Sequence, residues 1–189
     1  KTTADPFVGK LTYLRVMSGI LESDTRIQNH TKKTEERIGT LHVMRGKEQI
    51  PVKRLHSGDL GTIAKLSDTS TGDSLGDKNK PLHFQTAVYP GSLYAVAVRP
   101  RTQADSTKMG PTLTRLCEED QTLSWRNEPS TKQTILEGMG DQHVDIALKR
   151  AEKKFGTSLD ISTPKVPYRE SITSSGDSQY RHKKQSGGA

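Results

Sequence analysis

From about residue 94 the apolar residues switch between strand and helix spacing in a set order, and that order limits the fold more than anything else in the sequence. LYAVAVRP is a short apolar run closed by Pro100. Met109, Leu113 and Leu116 then recur at helical spacing, which predicts a helix capped by Asp105 and running to about Cys117. Gly110-Pro111 falls inside it, and proline lacks a backbone donor, so a late start or a kink is expected there. TLSWRNE and KQTILEG read as two strands joined by a turn near Pro129-Ser130. Val144, Ala147, Leu148, Ala151 and Phe155 form the apolar stripe of a second helix. Lys153 and Lys154 fill its last turn, and Gly156 follows as a stop signal. SLDIS is the last strand. The order is β-α-β-β-α-β, that of a ferredoxin-like α+β sandwich, expected over residues 94–165.

Residues 1–82 carry a different pattern. Leu14 and Val16 alternate with Arg15, and Gly19 marks a turn. RIQN, ERIGTLHVM, QIPVKRL and LGTIAKL follow as short apolar runs separated by Asn29-His30 and Arg45-Gly46. Short strands with frequent turns indicate a small barrel or sandwich. SDTSTGDSLGD, residues 67–77, reads as a polar loop. Pro81, Pro90 and Gly91 mark a linker, placed at 83–93.

The chemistry available is limited. A phosphate loop needs Gly-x-x-x-x-Gly-Lys-Ser/Thr, and neither Gly9-Lys10 nor Gly46-Lys47 has the upstream glycine. Gly138 and Gly140 stand before a helix, where a lone anion is sometimes held, but no lysine accompanies them. Their plainer use is close strand–helix packing. His30, His42, His56, His83, His143 and His182 show no metal-ligand spacing. Cys117 has no disulfide partner in this chain, which points to a reducing compartment. Arg99-Pro100-Arg101 lacks the glycine-rich cradle that an acylphosphatase-like activity would need. No apolar run approaches the roughly 20 residues of a membrane helix. The net charge of +7 favours a polyanionic partner. Lys32, Lys33, Lys53, Arg54, Lys149, Arg150, Lys153 and Lys154 are the basic clusters suited to RNA phosphates. The chain opens without methionine and stops at Gln185-Ser-Gly-Gly-Ala, which reads as a piece of something longer.

These segments together resemble a known family. DPFVGKLTYLRVMSGIL, SGDLGTIAKL and TSTGDSL resemble the second domain of bacterial elongation factor G. LTRLCEED, TILEGMGDQHVDIALKRAEKKFG and PKVPYRESI resemble its third domain, and YRHKKQSGGA the opening of its fourth. The family's usual Gly-Met-Gly-Glu-Leu-His is Gly-Met-Gly-Asp-Gln-His here. That departure, with segment 41–54, is closer to the elongation factor G-like paralogues.

The resemblance implies a Greek-key translation-factor barrel over 1–82, a linker at 83–93, a ferredoxin-like domain over 94–165, and a linker with the start of a fourth domain over 166–189. It implies a barrel that packs on a GTPase domain and touches ribosomal RNA, and a mobile third domain between that GTPase and the ribosome. On this reading the chain has no catalytic residue, and GTP and magnesium belong to a G domain outside it. The ribosome and the protein's own GTPase domain are the expected partners of a cytoplasmic, monomeric protein. Gly138, Gly140, His143 and Arg150 are the expected G-domain docking residues, and the matching segment in the family lines part of the fusidic acid pocket. The expected rRNA contacts are Lys32, Lys33, Lys53, Arg54, Lys149, Lys153 and Lys154. Two rival readings are a ribosomal protection protein of the same superfamily and a stand-alone RNA-binding module.

Overall fold

A computed structural model describes residues 1–5 and 8–182 of the chain. Lys183 and Lys184, with the rest of the stretch resembling a fourth domain, lie outside the described residues. Among the described residues the N-terminal half holds ten strands: β1 (Thr2–Asp5), β2 (Gly9–Arg15), β3 (Ile20–Glu22), β4 (Arg26–Asn29), β5 (Thr34–Arg37), β6 (Leu41–Arg45), β7 (Glu48–Val52), β8 (Arg54–His56), β9 (Leu60–Ala64) and β10 (Leu75–Gly76). They pair antiparallel as β1-β2-β9-β6-β7, β10-β4-β5 and β3-β8. The three sheets enclose Val16, Ile38, Leu41, Leu55, Ile63 and Leu66, with Leu14 and Val52 packed at the margin.

ERIGTLHVM reads as one run but is two strands in two sheets. The break is fixed by Ile38, which is fully buried between β5 and β6 and whose N–H donates to the Thr25 carbonyl at 2.8 Å. The Ser23 hydroxyl then accepts the Leu41 N–H at 3.1 Å and donates to the Val52 carbonyl at 3.0 Å, seating the new strand. A local propensity pattern carries no sign of such a corner, because long-range packing sets it.

The polar loop 67–77 is less of a surface loop than its composition predicts. Thr69 and Ser74 are buried, and residues 75–76 form β10 against β4. The organiser is Glu36, 5% exposed, whose carboxylate accepts the N–H groups of Ser67 at 2.8 Å and Thr69 at 2.6 Å. A buried carboxylate is tolerated only when hydrogen-bonded in this way. Residues 77–93 contain no strand or helix, but they are tied at both ends. The Phe84 N–H donates to the Ser74 hydroxyl at 2.9 Å, and the Leu93 N–H to the Gly138 carbonyl at 3.0 Å.

The C-terminal half runs β11 (Tyr94–Pro100), α1 (Gln103–Glu119), β12 (Ser124–Glu128), β13 (Gln133–Gly138), α2 (Asp141–Phe155) and β14 (Leu159–Ser162). This is the expected element order. The strands form one antiparallel sheet, β12-β13-β11-β14. Val96, Val98 and Leu136 of the sheet meet Leu113 and Leu116 of α1 and Val144, Ala147 and Ala151 of α2. This cluster shares no residue with the one in the N-terminal half.

The start of α1 differs from expectation. Thr102, not Asp105, is the cap: its hydroxyl accepts the Asp105 N–H at 3.2 Å while the Asp105 carboxylate accepts the Thr102 N–H at 3.1 Å. Asp105 is the reciprocal partner of a capping box, three residues further in. Its other oxygen accepts the Ser158 N–H, tying the start of α1 to the approach of β14. The helix starts at Gln103, so Gly110-Pro111 does not delay it, and it runs on through Pro111 to Glu119. Burial of Leu113 and Leu116 on the far side of the proline holds the second part in place. The end of α2 is as read from the sequence, with Gly156 in the left-handed region at φ 60°.

Space alone excludes a side chain at Gly61. A Cβ at Gly61 on β9 would lie 2.2 Å from Leu55 Cδ1 and 3.3 Å from the His42 carbonyl oxygen. Leu55 is buried and cannot turn outward freely. Gly61→Ala is therefore expected to lower the unfolding free energy by ~2 kcal/mol through overpacking, read as a lower urea midpoint at unchanged slope; an unchanged midpoint would mean that Leu55 repacks without cost.

Candidate functional site

Gly138 ends β13, and α2 begins after Met139 and Gly140. A Cβ at Gly138 would lie 3.1 Å from His143 Nδ1, 3.1 Å from Val144 Cγ2 and 3.2 Å from Leu123 Cδ2. The missing side chain lets the first turn of α2 close onto the strand. Gly140 stands in contrast: its backbone is extended at φ −175°, and nothing lies within 4 Å of where its Cβ would be.

His143 locks the corner. The Met139 N–H donates to His143 Nδ1 at 3.1 Å, which leaves the ring proton on Nε2. Nε2 in turn meets Asp120 Oδ2, beyond the end of α1, at 3.0 Å. Asp120 also accepts from the Thr122 N–H at 3.0 Å and from its hydroxyl at 2.5 Å. Partial burial alone would raise the Asp120 carboxyl, but the bonds from Thr122 and His143 outweigh it and hold the group below the usual carboxylate range.

This arrangement does not suit a phosphate. The Met139 donor is already used by His143. The Asp141 carboxylate accepts the Gln142 N–H at 2.7 Å and puts a negative charge in the first turn. Asp120 adds a second negative charge beside the ring. The turn is a packed strand–helix corner.

The other sequence-derived residues divide into two groups. Arg150 lies two turns beyond His143 on α2, exposed and with no ion pair among the described residues. Lys33, Lys53 and Lys153 are likewise exposed, with no ion pair among the described residues. Lys32 is held inside its own half: it donates to the Asp68 carbonyl and to Ser70 Oγ at 2.6 Å, and lies 3.7 Å from Asp73. Arg54 sits 3.5 Å from Glu22, and Lys149 pairs with Asp145 at 2.6 Å. Lys154 pairs with Glu119.

Sequence reasoning passed over Glu119, Asp120 and Gln121. One signal for them was present. α1 ends in Glu118 and Glu119, with Asp120 as its C-terminal cap and no basic residue in its last turn. Carboxylates at a helix C-terminus oppose the helix dipole, so they call for partners elsewhere. Cys117, beside them, packs against the core, and burial with the nearby Asp120 charge pushes its thiol up to about 11, which leaves it unreactive near neutral pH. Among the described residues, no group of three or more His, Cys, Asp or Glu side chains is placed to hold a metal ion. No described helix is long and apolar enough to cross a membrane.

The Asp120 geometry has a pH signature. A carboxyl held below its unfolded value of about 3.9 contributes stability above that pH and loses it as pH falls through the folded-state value. Asp120→Asn is expected to be less stable than the parent at neutral pH, and the gap should close as pH drops below about 4. Thermal melts of both proteins across that range check it; a gap independent of pH would mean that the carboxylate charge does not matter.

Comparison with known proteins identifies the family. Residues 1–78 match the family model described as elongation factor G domain 2, and residues 89–163 match elongation factor G domain III. A crystal structure of a protein from Thermus thermophilus superposes with a TM-score of 0.74 at 30% identity, over 89% of this chain and 26% of that chain. The present chain thus spans about a quarter of the length of that structure. With two adjoining matches to one family, in the order that family uses, the chain belongs to the elongation factor G family and carries its domains 2 and 3.

Proposed function

We propose that this chain is the non-catalytic middle portion of a ribosome-binding translational GTPase of the elongation factor G type. In this reading it couples GTP hydrolysis in a separate G domain to movement of tRNA and mRNA. The observation that carries the reading is the consecutive match of 1–78 and 89–163 to domains 2 and 3 of that family. The N-terminal half is then a Greek-key barrel over 1–82, and the C-terminal half a ferredoxin-like sandwich over 94–165, with 83–93 as the link. Their separate apolar cores support that division.

The Gly-Met-Gly corner is the docking surface for the G domain. Gly138 serves the chain's own packing, while Gly140 has open space around it and gives a partner close access to the backbone. His143 holds the corner rigid through Asp120, and Arg150 extends the surface along α2. A change of nucleotide in the G domain alters the surface packed on this corner, and the balance between domain arrangements shifts with it. GTP and magnesium bind only in that G domain, and the setting is the cytoplasm. The RNA-facing cations are those with no ion pair among the described residues, Lys33, Lys53 and Lys153.

Two measurements test the reading. The chain should bind ribosomal RNA with an affinity that falls steeply between about 50 and 200 mM salt, and each neutralised phosphate contact among Lys33, Lys53 and Lys153 should lower the salt slope by about one. Affinity that ignores salt would overturn the basic-face assignment. Calorimetry with GTP and GDP should give no binding, since no phosphate loop exists in the sequence; micromolar binding would place the nucleotide site inside this chain after all.

A further inference from the structure

β1 is the edge strand of its sheet, and two of its N–H groups are taken by side chains from outside the sheet. The Thr2 N–H donates to Thr71 Oγ1 at 2.9 Å, within the same half. The Ala4 N–H crosses to the other half and donates to a Glu119 carboxylate oxygen at 2.6 Å. The same oxygen accepts from Lys154 of α2, and the Lys1 ammonium reaches the Glu119 carbonyl. Just beyond, Gln121 Nε2 donates to the Thr71 carbonyl at 2.8 Å. The end of α1 is thus bonded to both β1 and the 67–77 loop, the loop that the buried Glu36 carboxylate organises.

We propose that Glu119 is a reversible latch that holds the two halves in this one orientation. Its side chain is only 12% exposed, so the carboxylate needs partners wherever it sits. It has one on each side of the boundary: Ala4 in the N-terminal half, Lys154 in its own. When the halves part, Lys154 keeps the charge compensated, and the Ala4 N–H turns to water. Neither half is left with an unpaired buried charge, which is what a latch must avoid if it is to open and close. Two further struts, Lys1 to the Glu119 carbonyl and Gln121 to the Thr71 carbonyl, are exposed, and they limit sliding rather than setting the orientation. The inference concerns the boundary between the halves alone, and it stands whether or not the chain works on the ribosome.

The test measures the orientation directly. Spin labels are placed in the full chain at Lys47→Cys, in the exposed β6–β7 turn, and at Ser130→Cys, in the exposed β12–β13 turn, with Cys117→Ser in the background. The parent should give one narrow distance distribution by pulsed electron resonance. Glu119→Ala should raise the fraction outside that peak by about tenfold, the effect of losing one hydrogen bond to a charged group. Glu119→Gln keeps an acceptor and should fall in between; it also gives the answer if the alanine variant does not fold. Lys154→Met removes the cation but leaves the Ala4 bond, and should keep the single peak. The proposal fails if both Glu119 variants, with native circular dichroism, keep the parent distribution. It also fails if Lys154→Met broadens the distribution as much as Glu119→Ala, because the effect would then belong to α1–α2 packing.

Discussion

Carboxylates at the C-terminal end of a helix are opposed by the helix's own dipole, and α1 ends in Glu118 and Glu119 with Asp120 as its cap. The way this conflict is resolved organises the C-terminal half. Asp120 turns to His143 at the start of α2, and Glu119 turns to Lys154 at its end. Those two positions are separated by three turns of helix, roughly 16 Å along its axis. The end of α1 is therefore bonded to α2 near both of its ends. Ala147 and Ala151, both buried in the core, lie between these two contacts along α2. Removing either carboxylate would leave a cation or an imidazole without its counterpart and free one end of α2.

The N-terminal half solves a similar problem with a different device. Glu36 is buried on β5, and its partners are backbone and hydroxyl groups of residues 67–69 in place of a cation. Beside it, the buried Asn29 donates to Asp73 at 2.9 Å, and Asp73 accepts the Ser70 N–H at 2.8 Å. These bonds shape a loop of small polar residues that has no apolar anchor of its own until Leu75. The shaped loop presents Thr71, which serves β1 on one side and Gln121 on the other. Two buried carboxylates, Glu36 and Asp73, thus fix a surface that the other half contacts. The two networks meet at the boundary, one ending in Thr71 and the other beginning at Glu119.

Which parts of this were legible in the sequence follows from the range of the forces involved. The β-α-β-β-α-β order was legible, because helix and strand periods are local and the stripe Val144, Ala147, Ala151 repeats them cleanly. The stop at Gly156 was legible for the same reason. The corner at Ile38 was not, since β-forming residues run on both sides and only distant packing breaks them. The cap was misplaced by one turn because Thr102 and Asp105 share one capping box, and a sequence names both without saying which leads. Loop 67–77 looked solvated because its residues are polar, but polar residues bury readily when a carboxylate collects their N–H groups. At the candidate site, Gly138 and His143 stood out by position, while Asp120 could be found only through the dipole argument. The basic residues looked alike on paper. Lys32, Arg54, Lys149 and Lys154 have acidic partners in space, most of them distant in sequence, and Lys33, Lys53, Arg150 and Lys153 have none among the described residues.

That division gives α2 two chemically distinct ends. Its first turns carry Asp141 and Asp145, with Asp120 alongside, so an approaching anion meets negative charge where a bare helix N-terminus would attract it. Its last turn carries Lys153 and Lys154, of which Lys153 has no ion pair among the described residues. The gradient follows the helix dipole and so stabilises α2 by itself. It also separates the partners each end can accept. In the proposed reading the Gly-Met-Gly corner faces the G domain, since the carboxylates of Asp120 and Asp141 disfavour a phosphate backbone there. The far end suits phosphates and would repel a basic protein face. On the proposed function, a helix graded in this way lies between the G domain on one side and RNA on the other without either partner displacing the other.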